Sequence, residues 1–160
     1  DLLVSKIGEK ITLGKSKTFS KNNTINYFYL HNVIKDNLAK LGVIVSIKVK
    51  NKDKKIEEFC KQLSMHIAAL NPLALKPEEI DKNLIDKEKE LIREELKETG
   101  KPENIITKIS EGKLKKFLED NSLITQDWVM EPKKKVSEII STYKVHELEV
   151  LDFYRIKIGN

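Results

Sequence analysis

Segments near both ends of the chain alternate apolar and polar residues in the manner of β-strands. In segment 43–50, valine or isoleucine occupies every second position, which predicts a strand covered on one face. Segments 27–30 and 10–13 are shorter strand candidates, and the polar stretch 20–24 predicts a turn between them. Segment 150–158 alternates apolar with charged residues and predicts a closing strand. These strands predict an antiparallel sheet.

Helical spacing begins after the turn-like residues 51–53. Between residues 56 and 70, apolar side chains recur at intervals of three and four, which predicts an amphipathic helix packed on the sheet. Asn71 and Pro72 predict its end. Pro77, followed by two acidic residues, predicts the start of a second helix that runs to about residue 99.

Two helices with narrow apolar stripes follow one another along the middle of the chain. Gly100 and Pro102 separate the second helix from a third, which reaches to about residue 121. Narrow stripes are typical of seams between two helices, so segment 77–121 predicts an antiparallel coiled-coil hairpin that protrudes into solvent. Pro132 predicts the start of a further helix.

The order of elements predicts the fold class and the domain organisation. Strands, helices, a helical hairpin, a helix and a strand in that order are typical of an α+β fold, with an antiparallel sheet and helices packed on one face. A chain of 160 residues is long enough to bury a core without disulfides. We therefore predict one domain over 1–160, with the hairpin at 77–121 inside it.

Charge and cysteine content restrict the environment and the partners. The net charge is +5, but 30 basic and 25 acidic residues are interspersed, which is typical of a solvated surface and does not predict a specific nucleic-acid partner. The one cysteine, Cys60, favours a reducing, cytoplasmic compartment. No run of eighteen apolar residues is present, so no membrane association is predicted.

Candidate catalytic and ligand-binding motifs are weak. Gly14, Lys15 and Ser16 resemble the end of a phosphate-binding loop, but the first glycine of that motif would fall at Glu9. Cys60 and His66 are six residues apart on one predicted helix, so they point in different directions and do not predict a nucleophile and its base. We predict no enzyme activity, no cofactor and no metal.

Two further features have ordinary structural explanations. The lysines at positions 133–135 are suited to contacting RNA phosphates, but no aromatic stacking motif accompanies them. A solvated basic turn is the simpler interpretation. Trp128 is predicted to be packed or half-buried rather than a ligand platform.

Several segments resemble the elongation factor Ts family, in the same order and at nearly the same spacing. Segment 6–11 reads K-I-G-E-K-I and resembles the family's K-I-G-E-N-I; segment 65–72 reads M-H-I-A-A-L-N-P and resembles M-H-I-A-A-x-x-P. Segment 100–102 reads G-K-P, as in the family. Segment 108–117 is similar to K-M-V-E-G-R-x-x-K-F, and 123–132 to L-x-x-Q-P-F-x-x-x-P, with Asp127 and Trp128 in place of proline and phenylalanine.

This resemblance implies a function and a partner. Members of the family bind elongation factor Tu and promote release of GDP, and the resemblance covers their C-terminal core, or dimerisation, region. It implies that Ile7 and Gly8, in the K-I-G-E element, and His31 and Asn32, matched to the family's Y-x-H-G turn, contact elongation factor Tu. Asn32 replaces the glycine of that turn, and segment 33–40 resembles an insertion beside it.

Two other functions stay open at this point. A basic RNA- or ribosome-binding accessory module is one, and a dimerisation scaffold, forming a homodimer through the hairpin, is the other. The family's N-terminal helical domain and its T-D-F-V motif have no counterpart in these 160 residues. We therefore expect the chain to bind or dimerise but to exchange nucleotide poorly.

Overall fold

A four-stranded antiparallel sheet, with strand order β1-β2-β3-β6, is the largest element of the fold. The computed structural model describes residues 19–21, 23–35 and 38–157. The strands of this sheet are β1 (Phe19–Lys21), β2 (Thr24–Lys35), β3 (Leu38–Lys48) and β6 (Glu149–Lys157). The predicted α+β class with an antiparallel sheet is confirmed.

The described residues also form four α-helices, a second small sheet and three short 3-10 turns. The helices are α1 (Lys54–Leu70), α2 (Lys82–Lys97), α3 (Glu103–Asp120) and α4 (Val136–Ser141), and the second sheet pairs β4 (Asp127–Trp128) with β5 (Glu131–Lys135). The chain divides into two compact units. The first contains the residues up to Asn71 and those from Ile140 onwards, and the second contains Pro72–Ile139. The predicted single domain over 1–160 with a hairpin at 77–121 stays a prediction.

The long hairpin of β2 and β3 organises the first unit. The predicted strand at 43–50 is confirmed, since it lies within β3 up to Lys48, and its side chains Val43, Val45 and Ile47 are buried on one face. Ile44, on the opposite face, is buried as well. The strand is therefore covered on both faces at this point, not on one as the alternation predicted.

Helix α1 packs on the face of the sheet that carries Val43, Val45 and Ile47. Its buried apolar stripe comprises Ile56, Phe59, Cys60, Leu63 and Ile67. Asp53 caps the start by accepting a hydrogen bond from the Ile56 amide, 2.9 Å away. Asn71, with φ of 47°, ends the helix in the left-handed conformation, as Asn71 and Pro72 predicted.

The start of the second helix differs from the prediction. Pro77–Glu79 forms a short 3-10 turn, Ile80 returns to an extended conformation, and α2 begins only at Lys82. Asp81 caps it by accepting a hydrogen bond from the Asn83 amide, 2.7 Å away. Pro77 does begin a helical turn, but the side chain of Asp81, four residues later, determines where α2 begins.

Helices α2 and α3 are antiparallel neighbours joined by a short connection. Their seam is a small buried cluster of Ile92, Leu96 and Ile106, against which Ile109 and Leu114 pack. Lys113 reaches across to Glu95, with 2.7 Å between Nζ and Oε1. The helix pair within 77–121 is confirmed, whereas its protrusion as a coiled coil stays a prediction.

The connection between α2 and α3 contains a glycine that its backbone requires. Gly100 has a φ of 66°, a region that costs L-residues roughly 1 kcal/mol. We expect Gly100→Ala to lower the free energy of unfolding by about 1 kcal/mol. Gly112 lies inside α3 with no atom within 4 Å of an added Cβ, so Gly112→Ala should be neutral or stabilising.

Urea unfolding of both variants, followed by circular dichroism, measures this difference. Equal destabilisation by the two substitutions would show that the conformation at Gly100 does not limit stability.

A helix was predicted to start at Pro132, and this predicted start is wrong. Residues Glu131–Lys135 instead form β5, which pairs with β4, and α4 begins at Val136. The Glu138 carboxylate accepts a hydrogen bond from the Lys135 amide, 2.6 Å away, and so closes the first turn of α4. A proline is compatible with a two-stranded ribbon because one side of each strand makes no ladder hydrogen bonds.

The remaining predictions at the chain ends have mixed outcomes. The closing strand is confirmed as β6 up to Lys157, and position 158 lies outside the described residues. The turn at 20–24 is narrower than predicted, since Lys21 pairs directly with Thr24. The strand candidate at 10–13 lies outside the described residues.

Candidate partner-binding site

The predicted partner-binding residues fall on β2 where the structure describes them. Ile7 and Gly8 lie outside the described residues. His31 pairs with Leu41 in the β2–β3 ladder, and Asn32 continues the same strand. The turn expected at His31 and Asn32 is therefore wrong. Segment 33–40, interpreted as an insertion, contributes residues up to Lys35 to β2 and residues from Leu38 to β3.

His31 is exposed on this strand and is held by a neighbour on the same face. The Tyr29 hydroxyl lies 3.1 Å from Nδ1 of His31, and the two ring centroids are 6.0 Å apart. Residues two apart on a strand share a face, which is why this contact forms. Burial raises the pKa of the Tyr29 phenol above its usual value. The phenol therefore keeps its proton at neutral pH and is able to donate it.

The face of the sheet that carries His31 is the one that α1 covers. Ile56 and Cys60 of α1 line the same cavity as Ile25 and Tyr27 of β2. At the other end of α1, the Arg155 guanidinium of β6 donates hydrogen bonds of 3.2 and 3.3 Å to the Ala68 carbonyl. Helix α1 thus runs along the strands from Ile25 towards Arg155.

Strand register groups the side chains of this face into rows. Residues directly opposite one another in paired strands share a face. From the start of α1 towards its end, the rows are Ile25 with Ile47 and Val150; Tyr27 with Val45 and Phe153; Tyr29 with Val43 and Arg155; and His31 with Leu41 and Lys157. His31 therefore belongs to the row that follows the one in which Arg155 holds the end of α1.

The last described row that spans β2, β3 and β6 combines one apolar and two polar positions; beyond it, β2 and β3 remain paired at Val33 and Ala39. Leu41 is buried at its centre, whereas His31 and Lys157 are exposed on either side. Lys157 makes no ion pair with any residue the structure describes. A histidine and a lysine beside an apolar residue, on a rigid sheet, form a surface suited to binding another protein.

Cys60 and His66 are both buried in α1. Burial, with a smaller contribution from Glu57, raises the pKa of the Cys60 thiol to about 12. A nucleophilic cysteine needs a lowered pKa. Cys60 is therefore a core residue.

The described residues hold no group of three or more side chains suited to a metal ion. Within the same ranges, no helix combines the length and apolar character that a membrane crossing requires.

The lysines at positions 133–135 lie on β5 and are exposed. Two of them are paired within their own hairpin: Lys134 lies 2.9 Å from Glu131, and Lys135 lies 2.7 Å from Asp127. These acids reduce the local positive charge, which disfavours a phosphate-binding surface. Trp128 is almost fully buried, as its packed interpretation predicted.

A groove of about 320 Å³ lies between α2 and α3. Ile92, Ile106 and Leu114 line it, and Arg93 bridges its rim to Glu103 at 3.1 Å. The Ser110 hydroxyl oxygen is buried and has no hydrogen-bond partner in the part of the chain that the structure describes. Such a lining is typical of the seam between two packed helices.

The amino-acid sequence was compared with known protein families and with individual proteins. The family model described as elongation factor TS matches residues 1–160. This chain belongs to the elongation factor Ts family. It is 41% identical over 129 residues to elongation factor Ts of Bartonella henselae, which covers 81% of this chain and 42% of that protein. It is 36% identical over 137 residues to elongation factor Ts of Rhizobium etli, covering 86% and 44%.

The chain therefore spans about two-fifths of the length of the elongation factor Ts relatives it matches. Family resemblance named His31 as a contact residue, but not Arg155 or Lys157. Tyr29 occupies the tyrosine position of the same Y-x-H-G motif but was not named as a site residue. Its contact with His31 was not predicted, because His31 was placed in a turn and not on the strand of Tyr29. Lys157 was not predicted either, because it joins this row only through the pairing of β3 with β6.

Proposed function

We propose that this chain provides protein-binding surface for guanine-nucleotide exchange on elongation factor Tu during translation. Membership of the elongation factor Ts family, matched over 1–160, is the observation that carries the proposal. The exposed side chain of His31, at the position expected to contact the partner, supports it. The proposal requires no bond to be made or broken, so it describes a binding protein and not an enzyme.

A binding protein promotes nucleotide release by preferring the nucleotide-free state of its partner. Thermodynamic linkage makes the effect reciprocal: if the chain lowers the affinity of elongation factor Tu for GDP, GDP lowers the affinity for the chain by the same factor. The proposal therefore predicts binding that GDP reverses. A dimerisation scaffold or an RNA-binding module does not predict that reversal.

The position of His31 on a strand favours its use in binding. Its backbone is held by pairing with Leu41, and its ring is held by Tyr29. A side chain ordered in the free protein loses less conformational entropy when a partner binds. His31 is thus pre-organised for contact, which a residue at the end of a loose turn would not be.

We expect the chain to bind nucleotide-free elongation factor Tu and to be released by added GDP. His31→Ala should weaken binding by about tenfold, which corresponds to about 1.4 kcal/mol. Val145→Ala is the matched control, since Val145 is 87% exposed and distant in sequence from His31, and it should leave the affinity unchanged. Titration of labelled elongation factor Tu measures both effects.

The same samples test exchange and the two alternative functions. Release of a fluorescent GDP analogue should be slower with this chain than with a full-length family member. Retention that is indifferent to GDP would favour a scaffold, and salt-sensitive retention of RNA would favour an RNA-binding module. Either result, without GDP-reversible binding, would refute the proposed function.

A further inference from the structure

We propose that the last described row spanning β2, β3 and β6, formed by His31, Leu41 and Lys157, binds a carboxylate on an acidic segment of the partner, and that Tyr29 is a positioning residue for His31. This inference rests on the proposed function, because it names the chemistry of the surface that the partner presents. We call His31, Leu41 and Lys157 the terminal row.

The terminal row is fixed by the register of three strands. His31 is opposite Leu41, and Leu41 is opposite Lys157. Adjacent strands lie about 4.8 Å apart, so the backbones of the two outer residues are roughly 10 Å apart. Both side chains extend from the same face and are exposed, whereas Leu41 between them is buried. A carboxylate that lies between the exposed ends of His31 and Lys157 is within reach of both.

The donors of the terminal row match the acceptors of a carboxylate. Lys157 contributes an ammonium group with three N–H donors, and His31 contributes a ring N–H. Lys157 forms no ion pair with an acid in the described ranges, so its charge is available to a partner. Arg155, in the neighbouring row, adds a second positive charge while it remains bonded to the Ala68 carbonyl. The surface is therefore complementary to negative charge.

Tyr29 decides which nitrogen of His31 is available to the partner. Its hydroxyl lies 3.1 Å from Nδ1 and engages that nitrogen, which leaves Nε2 on the side remote from Tyr29. In the tautomer that carries its proton on Nε2, the Tyr29 hydroxyl donates to Nδ1 and Nε2–H is a donor to a carboxylate. A carboxylate that accepts from Nε2–H therefore favours this tautomer. Tyr29→Phe removes the contact that orients the ring.

Charge reversal on the terminal row tests the acidic-partner part of the inference. Binding of the whole chain to nucleotide-free elongation factor Tu should weaken on the order of tenfold in Lys157→Glu, and this loss should shrink as salt is added. Lys157→Arg should retain binding, because it keeps the charge. The matched control is Lys48→Glu, an exposed lysine that the strand register places on the opposite face of the sheet.

A double-mutant cycle tests the role of Tyr29. Tyr29→Phe removes only the hydroxyl and should weaken binding about threefold, but it should add nothing once His31 is alanine. A merely structural role would give the same loss in both backgrounds. Tyr154→Phe is the control, since Tyr154 is exposed on the other face of β6. Circular dichroism verifies that each variant is folded.

The outcomes separate this inference from the proposed function. If the parent chain binds and Lys157→Glu binds as well as Lys48→Glu, the acidic-partner inference is overturned while the proposed function stands. If the parent chain does not bind, the proposed function fails and the inference fails with it. The inference would be established by three results together. Binding is lost in Lys157→Glu, it is retained in Lys157→Arg, and the effect of Tyr29→Phe on binding depends on the presence of His31.

Discussion

Phe59→Ala should lower the free energy of unfolding by about 3–5 kcal/mol, the largest effect we expect from a single substitution. Phe59 is 1% exposed in the middle of α1, and its ring centroid lies 4.7 Å from that of Tyr143. Truncation therefore removes both apolar burial and an aromatic contact, and it leaves a cavity that the rigid sheet beneath cannot fill. Chemical denaturation followed by circular dichroism measures the loss.

Val145→Ala is the control for this prediction, because an exposed apolar side chain contributes little to folding. We expect it to change the free energy of unfolding by less than about 0.5 kcal/mol. If the two variants were equally stable, α1 would not form the core of the first unit. Such a result would also remove the support on which the terminal row depends.

Alkaline pH should destabilise the protein through Cys60. Burial raises the pKa of this thiol from 9.0 to about 12 in the folded state. Below pH 9 the thiol is protonated in both states and its contribution to stability is fully present. Between pH 9 and about 12, the unfolded state loses its proton first, so stability falls. A difference of three pKa units corresponds to a loss of up to about 4 kcal/mol, and urea unfolding at several pH values measures it.

Cys60→Ala isolates this contribution from other alkaline titrations. The variant lacks the thiol, so its stability should fall less steeply above pH 9 than that of the parent chain. Tyr29 and Tyr143 also have raised pKa values because of burial, and their effects remain in both proteins. Parallel pH profiles for the two proteins would show that ionisation of Cys60 does not couple to unfolding.

The elements that were predicted correctly are those in which local pattern and tertiary environment agree. Helix α1 has a complete apolar stripe and clear signals at both ends, Asp53 and Asn71, so its limits could be derived from sequence. Strands β3 and β6 were located by their alternation, although β3 proved to be covered on both faces. The seam of α2 and α3 was also recognisable, because narrow stripes have few ways to be buried.

The errors share a different cause. Proline at positions 77 and 132 was interpreted as a helix start, yet one begins a 3-10 turn and the other lies in β5. Proline restricts one backbone angle and removes one donor, conditions that turns and strands satisfy as readily as helices. Hydrogen bonds that the Asp81 and Glu138 carboxylates accept from backbone amides selected the actual starts of α2 and α4.

The surface proposed to bind a partner was likewise only partly predictable from the sequence. The sequence led to His31 through family resemblance, but it placed the residue in a turn. The pairing of β2 with β3 extends through His31 and Asn32 and keeps both in a strand. A ladder between strands stabilises an extended backbone that no local signal requires.

By itself, the sequence determined the α+β class, the helix on the sheet, the helix pair and the family, because each follows from short-range spacing or from ordered motifs. Only the tertiary structure decided that His31, Leu41 and Lys157 share one row, since Lys157 is 126 positions from His31 along the chain and reaches it through two strand registers. Register depends on how whole strands bury their faces, and no local window of residues contains that information.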